Sequence, residues 1–268
     1  MIMILPKSLW AQLLPVSLLW DDDSSASVGF KCTLISNLVF WPVSILGLYI
    51  DHLCYEKRNP ILLNKYKLRP DQCITRTRDK IDLILLSSFN MIFVAFFICC
   101  PLYEWLWNRI QGEDGRLKES DEFIWQYELL VKIPIHILAT EIGFYSVHYL
   151  LHYSPFLYRY IHKVHHRFTS PTSMCCVYAH PIEFALGNLL PIYIGPIICN
   201  SHPFTCYGYW FLAMLGTCKG HCGYRILGYA DHHDEHHLYY KYNYGGMYIS
   251  DYFLGTTSPP PPPPAKKN

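Results

Sequence analysis

The sequence predicts an all-α protein: a polytopic membrane helical bundle with a cap of shorter, histidine-rich helices at one membrane face. Three observations lead to this prediction. Hydrophobic residues make up 51% of the 268 residues and charged residues only 16%, and the mean hydropathy is +0.10. Several uncharged runs are about as long as a bilayer requires. Of the 14 histidines, 12 lie between residues 141 and 237.

The first segment, residues 1–32, is expected to lie at the membrane interface. Its apolar part, residues 1–20, is interrupted by Pro6, Lys7 and Gln12, so the uninterrupted stretch is short for a bilayer crossing. A signal peptide is the alternative, although three aspartates follow rather than a small-residue cleavage site.

Residues 33–122 are predicted to form two transmembrane helices joined by a basic loop. The uncharged runs are Thr33 to Ile50 and Leu83 to Tyr103. The loop between them, residues 51–82, carries eight Lys and Arg, whereas residues 104–122 carry three and a surplus of acidic residues. Because positive loops stay in the cytosol, we expect residues 51–82 there and residues 104–122 on the opposite side.

A third crossing, residues 123–147, contains Lys132, His136 and Glu141. It must therefore face protein or a wet cavity rather than lipid. The 35 residues from Phe184 to Cys218 then contain no Asp, Glu, Lys or Arg. They are too long for one helix, and residues 201–203 break them, so a hairpin that spans or partly enters the membrane is expected. The chain is thereby returned to the cytosolic side.

Histidines of this region form three compact clusters. They are His148 and His152; His162, His165 and His166; and His233, His236 and His237. Residues three or four apart share a helix face, so each cluster directs its imidazoles toward one point. A single pair at this spacing is commonly two ordinary histidines. Eight imidazoles in three ordered clusters exceed the four ligands of a tetrahedral zinc and predict a site for two metal ions on the cytosolic face.

Composition argues against other classes of protein. A net charge of +1 leaves no basic surface for nucleic acid. The 11 cysteines include no CxxC pair and are interpreted as reduced, buried side chains.

The clusters and their flanking motifs resemble the fatty acid hydroxylase / sterol desaturase superfamily. The flanking motifs are EIGFY before the first cluster, YAHPIE at 178–183, HCGY at 221–224, NYG at 243–245 and FLGT at 253–256. Fatty acid hydroxylase domain-containing proteins and C-4 methylsterol oxidases are the most similar groups. The resemblance assigns residues 123–257 to a catalytic domain of this type.

This resemblance implies two non-haem irons held by the three clusters together with His221, and O2 as co-substrate. It also implies an endoplasmic reticulum membrane protein that takes electrons from cytochrome b5 or an NAD(P)H reductase. The chain has neither an HPGG haem motif nor a dinucleotide fingerprint, so the electrons are expected from a separate protein.

Four further residues are predicted to orient ligands or to shape the substrate entrance. Glu141 is seven residues before His148 and on the same helix face, so we expect it to accept a hydrogen bond from a first-cluster imidazole; helix packing is the alternative. His180 and Glu183 flank Pro181 and are assigned to the substrate mouth or to ligand hydrogen bonds, with a structural role as the alternative. Asp234 is a candidate ligand partner. His202 and His232 are interpreted as structural.

The predicted function is O2-dependent hydroxylation of a lipid C–H bond, with a 4-methylsterol of sterol biosynthesis as the substrate. Hydroxylation of a fatty acyl chain or sphingolipid, and sterol desaturation, are alternatives. A zinc metallohydrolase is disfavoured because no HExxH motif is present. A non-catalytic membrane scaffold remains an alternative from another class, on account of the short 225–232 loop. Residues 258–268, with their proline run, are expected to be disordered.

Overall fold

A computed structural model of the protein describes residues 27–55, 66–69, 74–112, 115, 117, 121–225 and 232–259. These residues form helices, turns and loops without a β-strand, apart from one isolated bridge between Lys67 and Tyr224. The all-α prediction is confirmed for this part of the chain. Residues 1–26 of the expected interfacial segment and residues 260–268 of the tail lie outside the described residues, and residues 27–32 belong to the first long helix.

Eight helices organise the described chain. In order they are α1 (Ser27–Tyr55), α2 (Thr77–Gln111), α3 (Trp125–Tyr153), α4 (Pro155–Tyr160), α5 (Pro181–Ile198), α6 (Pro203–Gly220), α7 (His232–Tyr239) and α8 (Ile249–Leu254). By length and composition, α1, α2, α3 and α5 are each able to cross a membrane. Short 3₁₀ helices cover His162–Arg167 and Ser173–Val177.

The core lies where α2, α5 and α6 meet α1. Tyr103 of α2 packs on Tyr193 of α5 with ring centroids 4.4 Å apart, and Tyr193 stacks on Trp210 of α6 at 4.9 Å. All three side chains are buried. Aromatic pairs at these separations contribute to packing beyond their buried area, so this column fixes the three helices to one another.

Helices α3 and α5 approach so closely that glycine is required at the crossing. A Cβ on Gly195 would lie 2.6 Å from the Cα of His136. The missing side chain therefore lets the two backbones come together, as small residues do between membrane helices.

The charged residues of the third crossing are buried in protein, as predicted. Lys132 donates to Glu128 at 2.6 Å and to the Asn200 carbonyl at 3.0 Å. Glu128 also accepts a hydrogen bond from the Thr205 hydroxyl at 2.7 Å. This cluster fixes the turn at residues 199–202, which joins α5 to α6 and forms the bend of the predicted hairpin.

The short segments gather at the opposite end of the bundle. The Asn90 amide of α2 donates to the carbonyls of Val177 and Ala179 at 2.8 and 2.9 Å. Arg167 pairs with Asp79 at 2.6 Å, near the start of α2. The end of α3, the start of α5 and the end of α6 meet these segments, so all the histidine clusters lie at one end of the bundle.

Candidate metal centre

Four structural elements supply the clustered histidines. His148 and His152 lie on the last turns of α3, His221 follows α6, and the third cluster lies on α7. The second cluster differs from the prediction, because it forms a 3₁₀ helix rather than an α-helix. With three residues per turn, the 3₁₀ geometry places His162 and His165 on one face.

These elements bring all nine predicted ligands together. The ring nitrogens form two groups, within each of which the atoms lie within 4.8 Å of one another. One group is His148, His152, His162, His166 and His236, and the other is His165, His221, His233 and His237. Eight of the nine residues are buried, and His152 is half-buried.

The five-histidine group converges through its Nε2 atoms. The Nε2 atom of His162 lies 3.2 Å from that of His148 and 2.8 Å from those of His152 and His166. The Nε2 atom of His236 lies 3.1 Å from that of His166. Side chains from α3, the 3₁₀ helix and α7 therefore point at a common centre.

The four-histidine group lies beside the first. The Nε2 atoms of His165 and His221 are 3.4 Å apart. The ring of His233 lies 4.4 Å from that of His221, and the ring of His237 lies 4.7 Å from that of His165. The two groups touch through His166 and His237, whose ring centroids are 4.8 Å apart.

In five of the nine rings, the Nδ1 atom contacts a hydrogen-bond acceptor on the side away from the centre. A carbonyl oxygen only accepts, so a ring hydrogen-bonded to one carries its proton on Nδ1 and presents the Nε2 lone pair. The carbonyl pairs are His148 with Tyr244 (2.6 Å), His165 with Tyr178 (3.2 Å), His221 with Thr217 (3.0 Å) and His236 with Tyr242 (2.6 Å). The Nδ1 atom of His162 instead contacts the Glu183 carboxylate at 2.7 Å.

This arrangement fits metal ions. Neutral His165 and His221, each with its proton on Nδ1, present two lone pairs to each other and cannot form a hydrogen bond between the Nε2 atoms. Nδ1 of His166 and both ring nitrogens of His237 are buried and have no hydrogen-bond partner in the described structure. A cation between the Nε2 atoms of His165 and His221 satisfies both lone pairs, and one nitrogen of His237 is free to join them. An outer acceptor on Nδ1 is the usual arrangement for metal-bound histidine.

Burial keeps these imidazoles neutral. It lowers the pKa of His165 to about 3, with a contribution from the neighbouring His221, and lowers the pKa of His221 to about 4. The pKa values of His162, His166 and His236 are also well below the ordinary value, first because of burial and then because of neighbouring histidines. Neutral imidazole is the metal-binding form.

Glu141 does not have the predicted contact. Its carboxylate accepts hydrogen bonds from the backbone N–H groups of Met247 (2.8 Å) and Ser250 (2.9 Å). The first-cluster imidazole nearest in sequence, His148, is instead held by the Tyr244 carbonyl. Glu141 therefore fixes the loop that carries this carbonyl, because the loop's amides are the donors closest to it.

The other outer residues have different neighbours. Asp234 pairs with Arg69 at 2.7 Å, which holds α7 against the loop before α2. The Nδ1 atom of His180 accepts from the N–H of Ile182 at the start of α5. His232 is exposed and stacks on Tyr248, with ring centroids 4.1 Å apart. Neither His180 nor His232 belongs to the two ligand groups.

Sequence reasoning missed the backbone acceptors and Arg69. Any residue can supply a carbonyl, so the identities of Tyr178, Tyr242 and Tyr244 give no signal. The Arg69 contact depends on a loop and α7 meeting across 165 residues. Only Glu183 was identifiable in advance as a direct partner of a clustered histidine.

A largely apolar cavity of about 360 Å³ leads away from the histidines into the bundle. His148, His162 and His165 form part of its wall at one end, and Ile133 lies at the other. Along α3, the distance from His148 to Ile133 is about 22 Å at 1.5 Å per residue. The cavity therefore has room for an elongated apolar molecule with one end at the histidines.

The family model for fatty acid hydroxylases matches residues 133–256, which contain every clustered histidine. Methylsterol monooxygenase 2-2 of Arabidopsis thaliana is 33% identical over 216 residues, covering 72% of this chain and 74% of the relative. The chain belongs to the fatty acid hydroxylase family. The resemblance inferred from the sequence is thereby confirmed.

Other relatives are similarly distant. Fatty acid hydroxylase domain-containing protein 2 of Homo sapiens is 33% identical over 226 residues, 82% of this chain and 63% of that protein. A C-4 methylsterol oxidase of Schizosaccharomyces pombe is 26% identical over 245 residues, 85% of this chain and 76% of the relative. The chain thus spans less than two thirds of the human relative. No solved structure matches.

Proposed function

We propose that this protein is a membrane di-iron oxidoreductase that uses O2 to hydroxylate a C–H bond of a lipid. The observation that carries the proposal is the convergence of nine imidazoles in two adjacent groups, most of them anchored at Nδ1. Family membership supports the same conclusion. Zinc has no redox chemistry, whereas iron can supply the oxidising power that an unactivated C–H bond requires.

Each histidine group would hold one iron, and the protein's own contribution is to orient and shield the pair. The Nδ1 acceptors fix the rings so that Nε2 faces the metal. Eight of the nine histidines are buried, and this protects a reactive centre from water. Glu183 strengthens the donor character of His162 through its 2.7 Å contact.

The cavity supports a lipid substrate. Its apolar wall includes residues of α3, α5 and α6, so a lipid in the bilayer would reach the histidines without entering water. We propose a 4-methylsterol, because two of the relatives are named for methylsterol oxidation. A fatty acyl chain is the second candidate, supported by the name of the human relative and by the elongated shape of the cavity.

The metal centre is proposed to face the cytosol in the endoplasmic reticulum membrane. The basic residues between α1 and α2 support this orientation under the positive-inside rule, since Lys67 and Arg69 of this loop lie at the histidine end. Electrons would come from cytochrome b5 or an NAD(P)H reductase, as the resemblance implies.

Lipid profiling of cells that lack the protein tests the proposal. Accumulation of 4-methylsterols is expected, with recovery on expression of the wild type and of His232→Ala, but not of His165→Ala. His232→Ala is a matched control because that histidine is exposed and outside both groups. Accumulation of unhydroxylated acyl lipids instead would support the acyl-chain candidate. Full recovery by His165→Ala would contradict an oxidase dependent on this site and support a scaffold.

A further inference from the structure

One polar side chain in the cavity wall has no role in the metal centre. Asn188 lies in α5, within its π-helical segment Phe184–Leu189, and lines the cavity together with Phe184 and Leu189. It is partly exposed, and its carboxamide forms no hydrogen bond with any residue in the described part of the chain. It therefore offers both a donor and an acceptor to the contents of the cavity.

Several other polar side chains of the wall are already satisfied or out of reach. Thr217 also lines the cavity, but beside the histidines, since its carbonyl accepts from His221 at 3.0 Å. Thr140 and Tyr209 hydrogen-bond to each other, and both oxygens of Glu141 accept from backbone amides. The Ser36 hydroxyl and the Trp210 indole N–H have no partner, but these atoms are fully buried in protein. A ligand in the cavity would meet the Asn188 amide and not those two groups.

Asn188 places a carboxamide in a largely apolar wall, on a helix able to cross a membrane. Polar residues inside membrane proteins commonly mark functional sites. The π-helical geometry is also informative, because π-helical turns frequently occur at functional sites. Both observations point to a ligand that supplies the missing hydrogen bonds.

The position of Asn188 locates the group that it would bind. Glu183 precedes it by five residues, the spacing that i→i+5 hydrogen bonds join in a π-helix, and the Glu183 carboxylate contacts His162 of the metal centre. Asn188 is therefore about one helical turn, roughly 5 Å, farther from the metal-binding histidines. A substrate atom bonded to its amide would lie only a few bonds from a carbon that faces the metal pair.

We infer that Asn188 binds an uncharged oxygen function, a hydroxyl group, a few bonds from the carbon that is oxidised. A carboxamide can accept from a hydroxyl and donate to it, but it has no charge to balance a carboxylate or phosphate. This inference rests on the proposed function and deepens it. It favours a 4-methylsterol, whose 3-hydroxyl is on the ring carbon next to the one that carries the methyl group, over the unsubstituted middle of an acyl chain.

The test compares two substrates on each of three proteins. A 4-methylsterol and its 3-deoxy analogue are given to reductase-coupled wild type, Asn188→Leu and Thr140→Val, and kcat/KM is measured for both. Thr140→Val is the matched control, because it removes another hydroxyl of the cavity wall that already has a protein partner. Iron content and thermal unfolding verify that each variant is folded.

The wild type is expected to prefer the hydroxylated sterol by about 10- to 100-fold, the range for a buried hydrogen bond that an analogue cannot form. Asn188→Leu should lower this ratio to near 1, mainly by raising KM for the hydroxylated sterol, and Thr140→Val should keep the wild-type ratio. An unchanged ratio in Asn188→Leu would overturn the inference. The ratio is measured on one preparation, so it does not depend on the folded fraction.

Binding of the same two sterols without reductant separates the two proposals. If the wild type oxidises neither sterol, the proposed sterol substrate fails. The inference about Asn188 is then decided by binding alone. A preference for the hydroxylated sterol that Asn188→Leu abolishes would support it, and equal binding of both sterols to the wild type would contradict it.

Discussion

His165 and His221 direct their Nε2 atoms at each other across 3.4 Å, while the Nδ1 atom of each is held by a backbone carbonyl. The two carbonyls fix both protons on the outer nitrogens, so the inner nitrogens are both acceptors. Residues 56 positions apart in the chain thus present two lone pairs to the space between them. In the five-histidine group, His148 and His236 are likewise held at Nδ1 by backbone carbonyls, and His162 is held by Glu183.

Replacing Glu183 tests the outer support of His162. Glu183→Ala should weaken metal binding about 10- to 100-fold, the usual effect of losing such a partner. Glu183→Gln should have a smaller effect, because its amide oxygen still accepts from Nδ1. Competition with a chelator measures the affinity. Equal affinity for Glu183→Ala and wild type would contradict the role assigned to this carboxylate.

Replacing Glu141 tests the support of the loop that carries Tyr244. Glu141→Ala removes the acceptor of two buried amide hydrogen bonds, and hydrogen bonds to charged groups contribute about 1.5–3 kcal/mol each. We expect a lower thermal unfolding temperature in detergent and faster proteolysis at residues 245–250. Glu141→Gln keeps one acceptor oxygen and should be intermediate. If the Ala variant is as stable as wild type, contacts other than those with Glu141 hold the loop in place.

The Arg69–Asp234 pair tests how α7 is held. Both side chains are nearly buried, at 12% and 3% exposure, and removal of one partner from such a pair costs about 3–5 kcal/mol. Arg69→Ala should release α7 and lower iron content. Arg69→Lys should restore little, because Arg69 contacts both the carboxylate and the backbone carbonyl of Asp234 and an ammonium lacks this fork geometry.

Arg167→Ala is the comparison for that experiment. Arg167 also forms ion pairs, with Asp79 and Asp82, but its side chain is 37% exposed. Exposed ion pairs contribute about 0–1 kcal/mol, so this variant should keep its metal. Equal metal loss in Arg69→Ala and Arg167→Ala would contradict a specific role for the α7 contact.

The helices and the histidine groups were predictable from local patterns. Uncharged runs marked α1, α2 and the α5–α6 hairpin, and clustered spacing marked all eight histidines of the three clusters. His221 required the family resemblance, because it has no neighbouring histidine whose spacing would indicate a shared helix face. These features are predictable because bilayer thickness and helical periodicity constrain the sequence directly.

The outer layer of the centre was less predictable, for a physical reason. The carbonyl of Tyr244 and the amides that bind Glu141 belong to the backbone, which every residue shares. Glu141 was assigned to an imidazole by helix-face geometry, but a carboxylate binds whichever donors the folded loop brings closest. The 3₁₀ form of the second cluster likewise depends on tertiary packing rather than on its own sequence.

The most direct test of the account is the metal content of the purified, full-length protein and of three variants. The account predicts about two irons per chain in wild type and His232→Ala. His221→Ala and His152→Ala should each lower the content to about one, since each removes a ligand from a different group. A wild-type protein that binds no iron, or one zinc alone, would contradict it.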